Sequence, residues 1–182
     1  LACARAFAAE GARVAIASRS QENLDAACAE LAKDGVQAFA VAADLTQADA
    51  ANAMVAATEK ALGPIDVLVN SAGADKRHAL DQYDSHAWHH GMEAKFFPYV
   101  HAMDAVRPAM IERRRGAIVN IIGTGGKRAQ PTHLAGGAAN AALMLVTVGW
   151  ANALGKYGVR VNAINPASTY TGRVKQQLVL EA

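Results

Sequence analysis

The sequence has little cysteine and little net charge, and each shortage argues against a class of protein. Its 182 residues include two cysteines, Cys3 and Cys28, both in alanine-rich segments that are typical of helices. Two such thiols do not suggest the disulfide framework of a small secreted fold. With 18 basic and 16 acidic residues, the net charge of +2 is too small for a protein that neutralises many phosphates, so we do not expect nucleic-acid binding.

Long hydrophobic runs are also scarce, and one stretch alone is long enough to cross a membrane. Residues 134–155 carry no formal charge over 22 positions, but they include two asparagines and four glycines. The first ten residues show no basic lead before an apolar block, as a secretory signal would. We therefore predict a soluble, cytoplasmic protein with no membrane partner, in which residues 134–155 form a helix covered on two sides.

Short β-rich runs alternate with longer helical patterns along the whole chain. Apolar residues make up 52% of the sequence, which predicts a folded core. Runs such as 67–69 and 118–122 are apolar on both faces, as parallel strands covered by helices are. The pattern predicts an α/β fold with a doubly wound parallel sheet, Rossmann-like in three αβα layers, in one domain spanning residues 1–182. The predicted strands are 13–17, 36–41, 65–69, 117–122 and 160–164, and the helices are 1–10, 20–35, 46–62, 86–113 and 134–156.

Two helix starts carry capping signals. Ser20 is the predicted cap of the second helix, because a serine hydroxyl can accept from a free backbone N–H of the first turn. Thr46 and Asp49 resemble a capping box at the start of the third helix.

A glycine-rich phosphate-binding turn is missing. A doubly wound sheet normally carries a strand and such a turn before its first helix, whereas this sequence opens on a helical pattern at Leu1. It stops shortly after an amphipathic start at 173–180. We therefore expect the sequence to be truncated at both ends. The run 123–127 is not a P-loop, since it lacks the four-residue spacer and a Ser/Thr after its lysine.

Several short motifs follow the predicted strands in a fixed order. They are Asp44-Leu45, Asn70-Ser71-Ala72-Gly73, the run 116–121, Asn140-Ala141-Ala142-Leu143, the run 160–166 and Thr171. By their order and spacing, the chain resembles the short-chain dehydrogenase/reductase family across its whole length. The resemblance implies hydride transfer between a nicotinamide cofactor and a small-molecule carbonyl or alcohol substrate.

The resemblance also implies which residues contact the cofactor. Asp44 and Leu45 would contact the adenine, and Thr171 would bind the nicotinamide carboxamide. The small turn after Asn70 would let the cofactor approach the backbone, and Asn140 would hold the ribose by neutral hydrogen bonds. The full set of predicted cofactor contacts is Ser18, Arg19, Asp44, Leu45, Asn70, Ala72, Gly73, Asn140, Pro166 and Thr171.

The choice of nicotinamide cofactor depends on the residues after the first visible strand. An acidic side chain there would bind the ribose 2′-hydroxyl of NAD, whereas an arginine accommodates the 2′-phosphate of NADP. The sequence has Ser18-Arg19 and no carboxylate at this place. A guanidinium offers a bidentate fork to phosphate, so we predict NADP, with NAD as the second choice.

The four catalytic residues that the resemblance implies are all replaced. The family uses a tyrosine as general acid, a lysine four residues on, a serine that polarises the carbonyl and an asparagine. Matching the motifs puts the tyrosine at Gly136 and the lysine at Asn140. It puts the serine at Gly123 and the asparagine at Lys95. No tyrosine of the sequence is followed by a lysine four residues later.

Three residues are candidates for the lost chemistry. Lys95 can donate a proton if burial lowers its pKa. His133 lies three residues before Gly136 and carries an imidazole, which exchanges protons near neutral pH. Thr124 follows the vacated serine position and has a hydroxyl donor. Two alternatives stay open: a catalytically inactive cofactor-binding protein, and a dehydratase or isomerase on the same fold.

Two further predictions concern partners and metals. In the family, the helices predicted at 86–113 and 134–156 commonly pair with a second copy, which implies a homodimer or homotetramer. His86 and His90 have the i, i+4 spacing of metal ligands, but a polar first helical turn explains them better, and we predict no metal site.

Overall fold

The structure is a computed structural model that describes residues 1–73, 77–167 and 169. The candidate cofactor contact Thr171 and the amphipathic pattern at 173–180 lie outside the described residues.

Within this part of the chain, helices and parallel strands alternate as predicted. The elements in chain order are α1 (Ala2–Ala9), β1 (Val14–Ser18), α2 (Gln21–Ala32), β2 (Ala38–Ala42), α3 (Ala48–Leu62), β3 (Val67–Asn70), α4 (Ser85–Gly91), α5 (Phe97–Glu112), β4 (Gly116–Ile121), α6 (Leu134–Leu154) and β5 (Val159–Ile164). A π-helical turn, Met92–Phe96, joins α4 to α5. Short 3₁₀ turns occur at Leu80–Gln82, Thr124–Gly126 and Gly155–Tyr157.

The strands form two hydrogen-bonded groups rather than one continuous sheet. β1 pairs with β2, and β3, β4 and β5 pair in that order, all in parallel. Among the described strands, no ladder joins β1 to β3. A cleft of about 790 Å³ lies there, and Phe7, Ile16 and Leu68 are among the apolar residues that line it. The predicted parallel α/β fold is confirmed, with this interruption.

β4 is the centre of the larger group and carries the core. Ile118 is fully buried between α5 and α6, where it packs with Met103, Met110 and Leu154. Gly116 allows this close packing, since a Cβ at this position would overlap the Met110 side chain. The carboxyl end of β4 is therefore held rigidly.

The two predicted helix caps have different outcomes. The Ser20 hydroxyl accepts from the Asn23 N–H at 3.2 Å, which confirms that cap. The Thr46–Asp49 capping box is wrong, because α3 begins at Ala48 and its N-cap, Gln47, makes no side-chain cap.

The predicted helix at 86–113 begins one residue earlier, and it is not a single α-helix. The Asp84 carboxylate caps α4 by accepting from the Ala87 N–H at 2.7 Å. The π-helical turn then interrupts the α-helical ladder before α5. Such turns insert one extra residue and often occur at functional sites.

Helix α6 is long and apolar enough to span a membrane by length and composition, a property that it shares with core helices of soluble proteins. One face packs inward through Asn140, Leu143 and Thr147. The other face is open, with Leu145 76% and Val148 58% exposed. We predicted a helix covered on two sides, and within the described residues one side is covered while the other is open.

Candidate active site at the carboxyl ends of the strands

The predicted site residues share one edge of the molecule because the strands are parallel. Ser18, Asn70 and Ile121 are the last residues of β1, β3 and β4. The turn after β4 is fixed to the segment after β5, since the Thr124 N–H donates to the Pro166 carbonyl at 3.0 Å. This edge is where open α/β sheets bind their ligands.

Lys95 lies in the π-helical turn and directs its amine at this edge. Its Nζ donates to the Tyr99 hydroxyl at 2.8 Å, the Ile121 carbonyl at 3.1 Å and the Ala72 carbonyl at 3.4 Å. Burial lowers the pKa of Lys95 from 10.5 to about 8. Gly73 makes room for this side chain, since a Cβ there would lie 3.0 Å from the Lys95 Cδ. The Lys95 amine is therefore held by three hydrogen bonds at this edge, with its pKa lowered to about 8.

Tyr99 contacts Lys95 at this edge and was missed by sequence reasoning. It is only 1% exposed, and its hydroxyl donates to the Ile121 carbonyl at 2.7 Å. Burial raises the pKa of Tyr99 well above its usual value. The search for a tyrosine followed by a lysine overlooked it because the order here is reversed: the lysine comes first and the tyrosine four residues later. The i, i+4 spacing on a helix was the available signal.

Helix α6 packs beside the π-helical turn and carries neutral residues at the two positions matched to the family's acid and lysine. Gly136 and Asn140, at the two positions matched to the family's tyrosine and lysine, are both buried. Asn140 is 6% exposed, and its Oδ1 has no hydrogen-bond partner among the described residues. Its Nδ2 lies 3.2 Å from where a Gly125 Cβ would be, and a His133 ring carbon lies 3.0 Å from that same point. His133, Asn140 and Gly125 therefore adjoin one another.

The three catalytic candidates surround the turn after β4 from different directions. Lys95 binds the Ile121 carbonyl on the β3 side, and His133 lies on the α6 side beside Gly125. Thr124 begins the 3₁₀ turn between these two residues.

Asn70, a predicted cofactor contact, has its side chain committed to the interior. It is 6% exposed, and its amide donates to Asn120 Oδ1 at 2.9 Å. The Asn120 amide in turn donates to the Thr147 hydroxyl on α6 at 2.9 Å. This series of hydrogen bonds links β3, β4 and α6, and it leaves the Asn70 side chain turned away from the strand ends. Ala72 and Gly73, two and three residues further on, are exposed.

The residues predicted at the adenosine end occupy loops after β1 and β2. Ser18 accepts from the Ser20 N–H at 3.4 Å, and the neighbouring Arg19 is exposed. Asp44 accepts from the Thr46 N–H at 3.1 Å, which fixes the loop after β2. The carbonyl of Leu45 receives a hydrogen bond from His101 Nδ1 at 2.9 Å.

No group of three or more His, Cys, Asp or Glu side chains within the described ranges is arranged to hold a metal ion. His89, in the last turn of α4, bonds the Ser85 carbonyl through Nδ1 at 2.7 Å.

Comparisons with known proteins give named relatives. The chain is 33% identical over 166 residues to the gluconate 5-dehydrogenase of Gluconobacter oxydans, covering 91% of this chain and 65% of that protein. It is 37% identical over 175 residues to the inactive 2-(S)-hydroxypropyl-CoM dehydrogenase 2 of Xanthobacter autotrophicus, covering 93% and 74%. The chain thus spans about two thirds to three quarters of the length of these curated relatives.

A solved structure shares the same architecture. The NADPH-bound short chain oxidoreductase of Pseudomonas aeruginosa PAO1, described as containing an atypical catalytic center, is 28% identical with a TM-score of 0.89. The match covers 97% of this chain and 70% of that one. Other solved relatives are NAD⁺-bound or NADPH-bound. The short chain dehydrogenase family model matches residues 1–179, and the chain therefore belongs to the short chain dehydrogenase family.

Proposed function

We propose that this protein is an NADP(H)-dependent oxidoreductase that interconverts a carbonyl and an alcohol, with Lys95 as the proton donor. Membership of the short chain dehydrogenase family supports the reaction class. The observation that carries the assignment of the donor is the Lys95 amine, held beside Gly73 at the ends of β3 and β4 with its pKa lowered to about 8. A general acid is most effective when its pKa lies near the working pH.

The residues at the strand ends fit a dinucleotide. Asn140 Oδ1 is a buried acceptor without a partner among the described residues, and a ribose hydroxyl would satisfy it. Gly123 has no side chain beside Asn140, which leaves the backbone after β4 accessible. The exposed Arg19 would bind the 2′-phosphate, which favours NADP over NAD. The bound cofactor would supply the hydride. The other proposed contacts are Ser18, Asp44, Leu45, the Asn70 backbone, Ala72, Pro166 and Thr171.

The remaining candidates assist on the opposite side of the turn. Thr124 would donate its hydroxyl proton to the substrate oxygen, which polarises the carbonyl as an oxyanion donor does. His133, beside Gly125, would exchange protons between the site and solvent.

The substrate class that fits best is a keto acid with several hydroxyl groups. Curated relatives are named for gluconate and 5-keto-D-gluconate. The sequence has no Asp or Glu between Glu112 and Glu181. Arg77 borders the segment before α6, where it bonds the neutral side chains of Gln130 at 3.1 Å and Thr132 at 3.3 Å. A site with cations and without nearby carboxylates from this half of the chain favours an anionic substrate.

The same family supports a soluble protein, and we place it in the cytoplasm as a homodimer or homotetramer. The exposed apolar side chains Leu145 and Val148 on α6, with Phe97 on α5, would be covered by a second copy. Size-exclusion chromatography with light scattering measures this state. A monomer would contradict the assignment of these helices as an interface.

The test of the proposed function has two arms. Isothermal titration with NADPH and NADH should show binding of both, with NADPH the tighter. NADPH oxidation should then depend on a ketone drawn from a panel that includes 5-keto-D-gluconate. Binding without turnover of any ketone would favour the inactive alternative. Failure of both dinucleotides to bind would refute the proposal.

A further inference from the structure

We infer that Tyr99 is the positioning residue for Lys95, and that the two side chains form one proton-donating unit in which the lysine gives the proton. This inference rests on the proposed role of Lys95 as the proton donor. It reverses the arrangement that the resemblance implies, in which the tyrosine is the acid and the lysine assists it. It also takes both residues from α5 and its π-helical turn instead of from α6.

The hydroxyl proton of Tyr99 is already committed. A phenol has one O–H, and that of Tyr99 donates to the Ile121 carbonyl at 2.7 Å. Toward Lys95 the oxygen therefore accepts, and the Nζ–Oη distance is 2.8 Å. The tyrosine side chain is 1% exposed, so a substrate does not reach it. Tyr99 consequently orients the amine and does not act as the acid.

The Lys95 ammonium has three N–H groups and three acceptors of unequal quality. The bonds to Tyr99 and Ile121 are short, whereas the Ala72 carbonyl is 3.4 Å away. Ala72 and Gly73 are exposed, so this weakly bonded N–H is on the open side of the amine. It is the proton that a substrate oxygen would take with least loss.

The proton transfer balances without any further reactant. The carbonyl carbon gains the hydride that the reduced nicotinamide supplies, and its C=O π bond becomes an oxygen lone pair. One N–H bond of Lys95 breaks and an O–H bond forms on that oxygen. Lys95 is left as a neutral amine and regains its proton from water. Tyr99 keeps its own proton throughout.

Among the described residues, Tyr99 is the titratable group that contacts the Lys95 amine, and β4 and the turn after β3 contribute neutral carbonyls. Burial lowers the pKa of Lys95, and Tyr99 is the side chain that can adjust it further. Glu93, on the same π-helical turn, lines a different pocket with Phe97 and His101. The Nζ also lies 4.6 Å from the Tyr99 ring centre, a cation–π distance.

The test is Tyr99→Phe, which keeps the ring and removes the hydroxyl. A hydrogen bond to a charged group is stronger than one to a neutral group. Removing the Tyr99 hydroxyl therefore destabilises the protonated amine more than the neutral amine, and the pKa of Lys95 should fall by about one unit. NMR titration of ¹³Cε-labelled lysine, with the Lys95 signal assigned by Lys95→Met, measures this without substrate or cofactor. Tyr157→Phe is the matched control, because Tyr157 also adjoins a lysine, with a cation–π distance of 5.1 Å. An unchanged Lys95 pKa in folded Tyr99→Phe would overturn the inference.

A second variant keeps the inference testable if Tyr99→Phe does not fold. In Gly73→Ala, the new Cβ would lie 3.2 Å from Lys95 Nζ, which displaces the amine from Tyr99 toward solvent. The pKa of Lys95 should then rise toward 10.5, whereas Gly149→Ala, which has nothing within 4 Å, should leave it unchanged. An unchanged Lys95 pKa in Gly73→Ala would show that the amine is not held between Gly73 and Tyr99, which contradicts the inference. If Tyr99→Phe shifts the pKa of Lys95 but leaves the pH dependence of kcat/KM for ketone reduction unchanged, the pairing of Tyr99 with Lys95 stands. The proposed role of Lys95 as the proton donor then fails.

Discussion

The two helical walls of the site differ in a way that explains its chemistry. On α6, the positions matched to the family's tyrosine and lysine hold Gly136 and Asn140, which are buried and neutral. On the second wall, the π-helical turn and α5 supply Lys95 and Tyr99, joined by a 2.8 Å hydrogen bond. The two matched positions on α6 are neutral, while the second wall carries a lysine and a tyrosine.

Under the proposed assignment, the carboxyl ends of the strands still bind the cofactor, while the general acid lies on a different helix. The site needs a proton donor near the ends of β3 and β4, and either wall borders that place. Asn70, Asn120 and Thr147 link the two walls through the core, so the frame between them stays rigid. Function then depends on the residues placed on this frame.

The largest expected effect comes from removing the amine. Lys95→Met should lower kcat/KM for ketone reduction by about 10²–10⁴-fold, the usual contribution of a general acid. The Kd for NADPH should stay within about threefold, because the variant removes no proposed cofactor contact. Lys60→Met, an exposed lysine on α3, is the control. Equal losses in both variants would break the comparison between the walls.

Arg19 tests the cofactor edge apart from either wall. Arg19→Ala should weaken NADPH binding by about 10- to 100-fold, the range expected for losing hydrogen bonds from a charged group. NADH affinity should change little, since NADH lacks the 2′-phosphate. Isothermal titration of both cofactors measures the ratio, with Arg160→Ala as an exposed control. A preference for NADPH that survives the substitution would assign the 2′-phosphate to another residue.

The desolvated charge of Lys95 should also lower stability. Its pKa is about 8 in the folded protein and 10.5 in the unfolded chain. Below pH 8 the amine is charged in both states, so burying this charge lowers the free energy of unfolding by its full cost. Lys95→Met should raise the free energy of unfolding at pH 7 by about 1–2 kcal/mol, less than the full shift implies because the side chain is half-buried. The gain should shrink between pH 8 and 10.5. Urea unfolding at pH 7 and 10 measures it, and an equal gain at both values would contradict the cause.

The smallest effect is expected on α6. Asn140→Ala removes one neutral acceptor and should weaken NADPH binding by about three- to tenfold. The pKa of Lys95 should not move, because no hydrogen bond joins these two described side chains. A shift in that pKa would show that the two walls act as one unit.

Much of the fold was predictable because its sequence signals are local. These signals are the alternation of strand and helix patterns, the strand runs that are apolar on both faces, and the Ser20 cap. The gap between β1 and β3 was not, since strand pairing depends on contacts far apart in sequence. The π-helical turn at Met92–Phe96 was also missed. Its extra residue is fixed by packing against neighbouring elements and leaves no periodic mark over five residues.

Of the candidate site, Lys95 was predictable as a position but not as an environment. Matching the motifs placed Lys95 at the carboxyl ends of the strands. Its acceptors at Ala72 and Ile121, however, are backbone carbonyls that lie far from it in sequence. Tyr99 was missed because a motif has a direction along the chain, while a hydrogen bond between two side chains has none. Asn70 was predicted from its motif as a cofactor contact, yet its side chain turns to Asn120 in the core.

The measurement that tests the central claim most directly is the pH dependence of kcat/KM for ketone reduction with NADPH. Reduction needs protonated Lys95, so the rate of the native protein should be level below a pKa of about 8 and fall about tenfold per unit above it. The residual rate of Lys95→Met should show no such descent. The same descent near pH 8 in both proteins would show that the proton comes from another group.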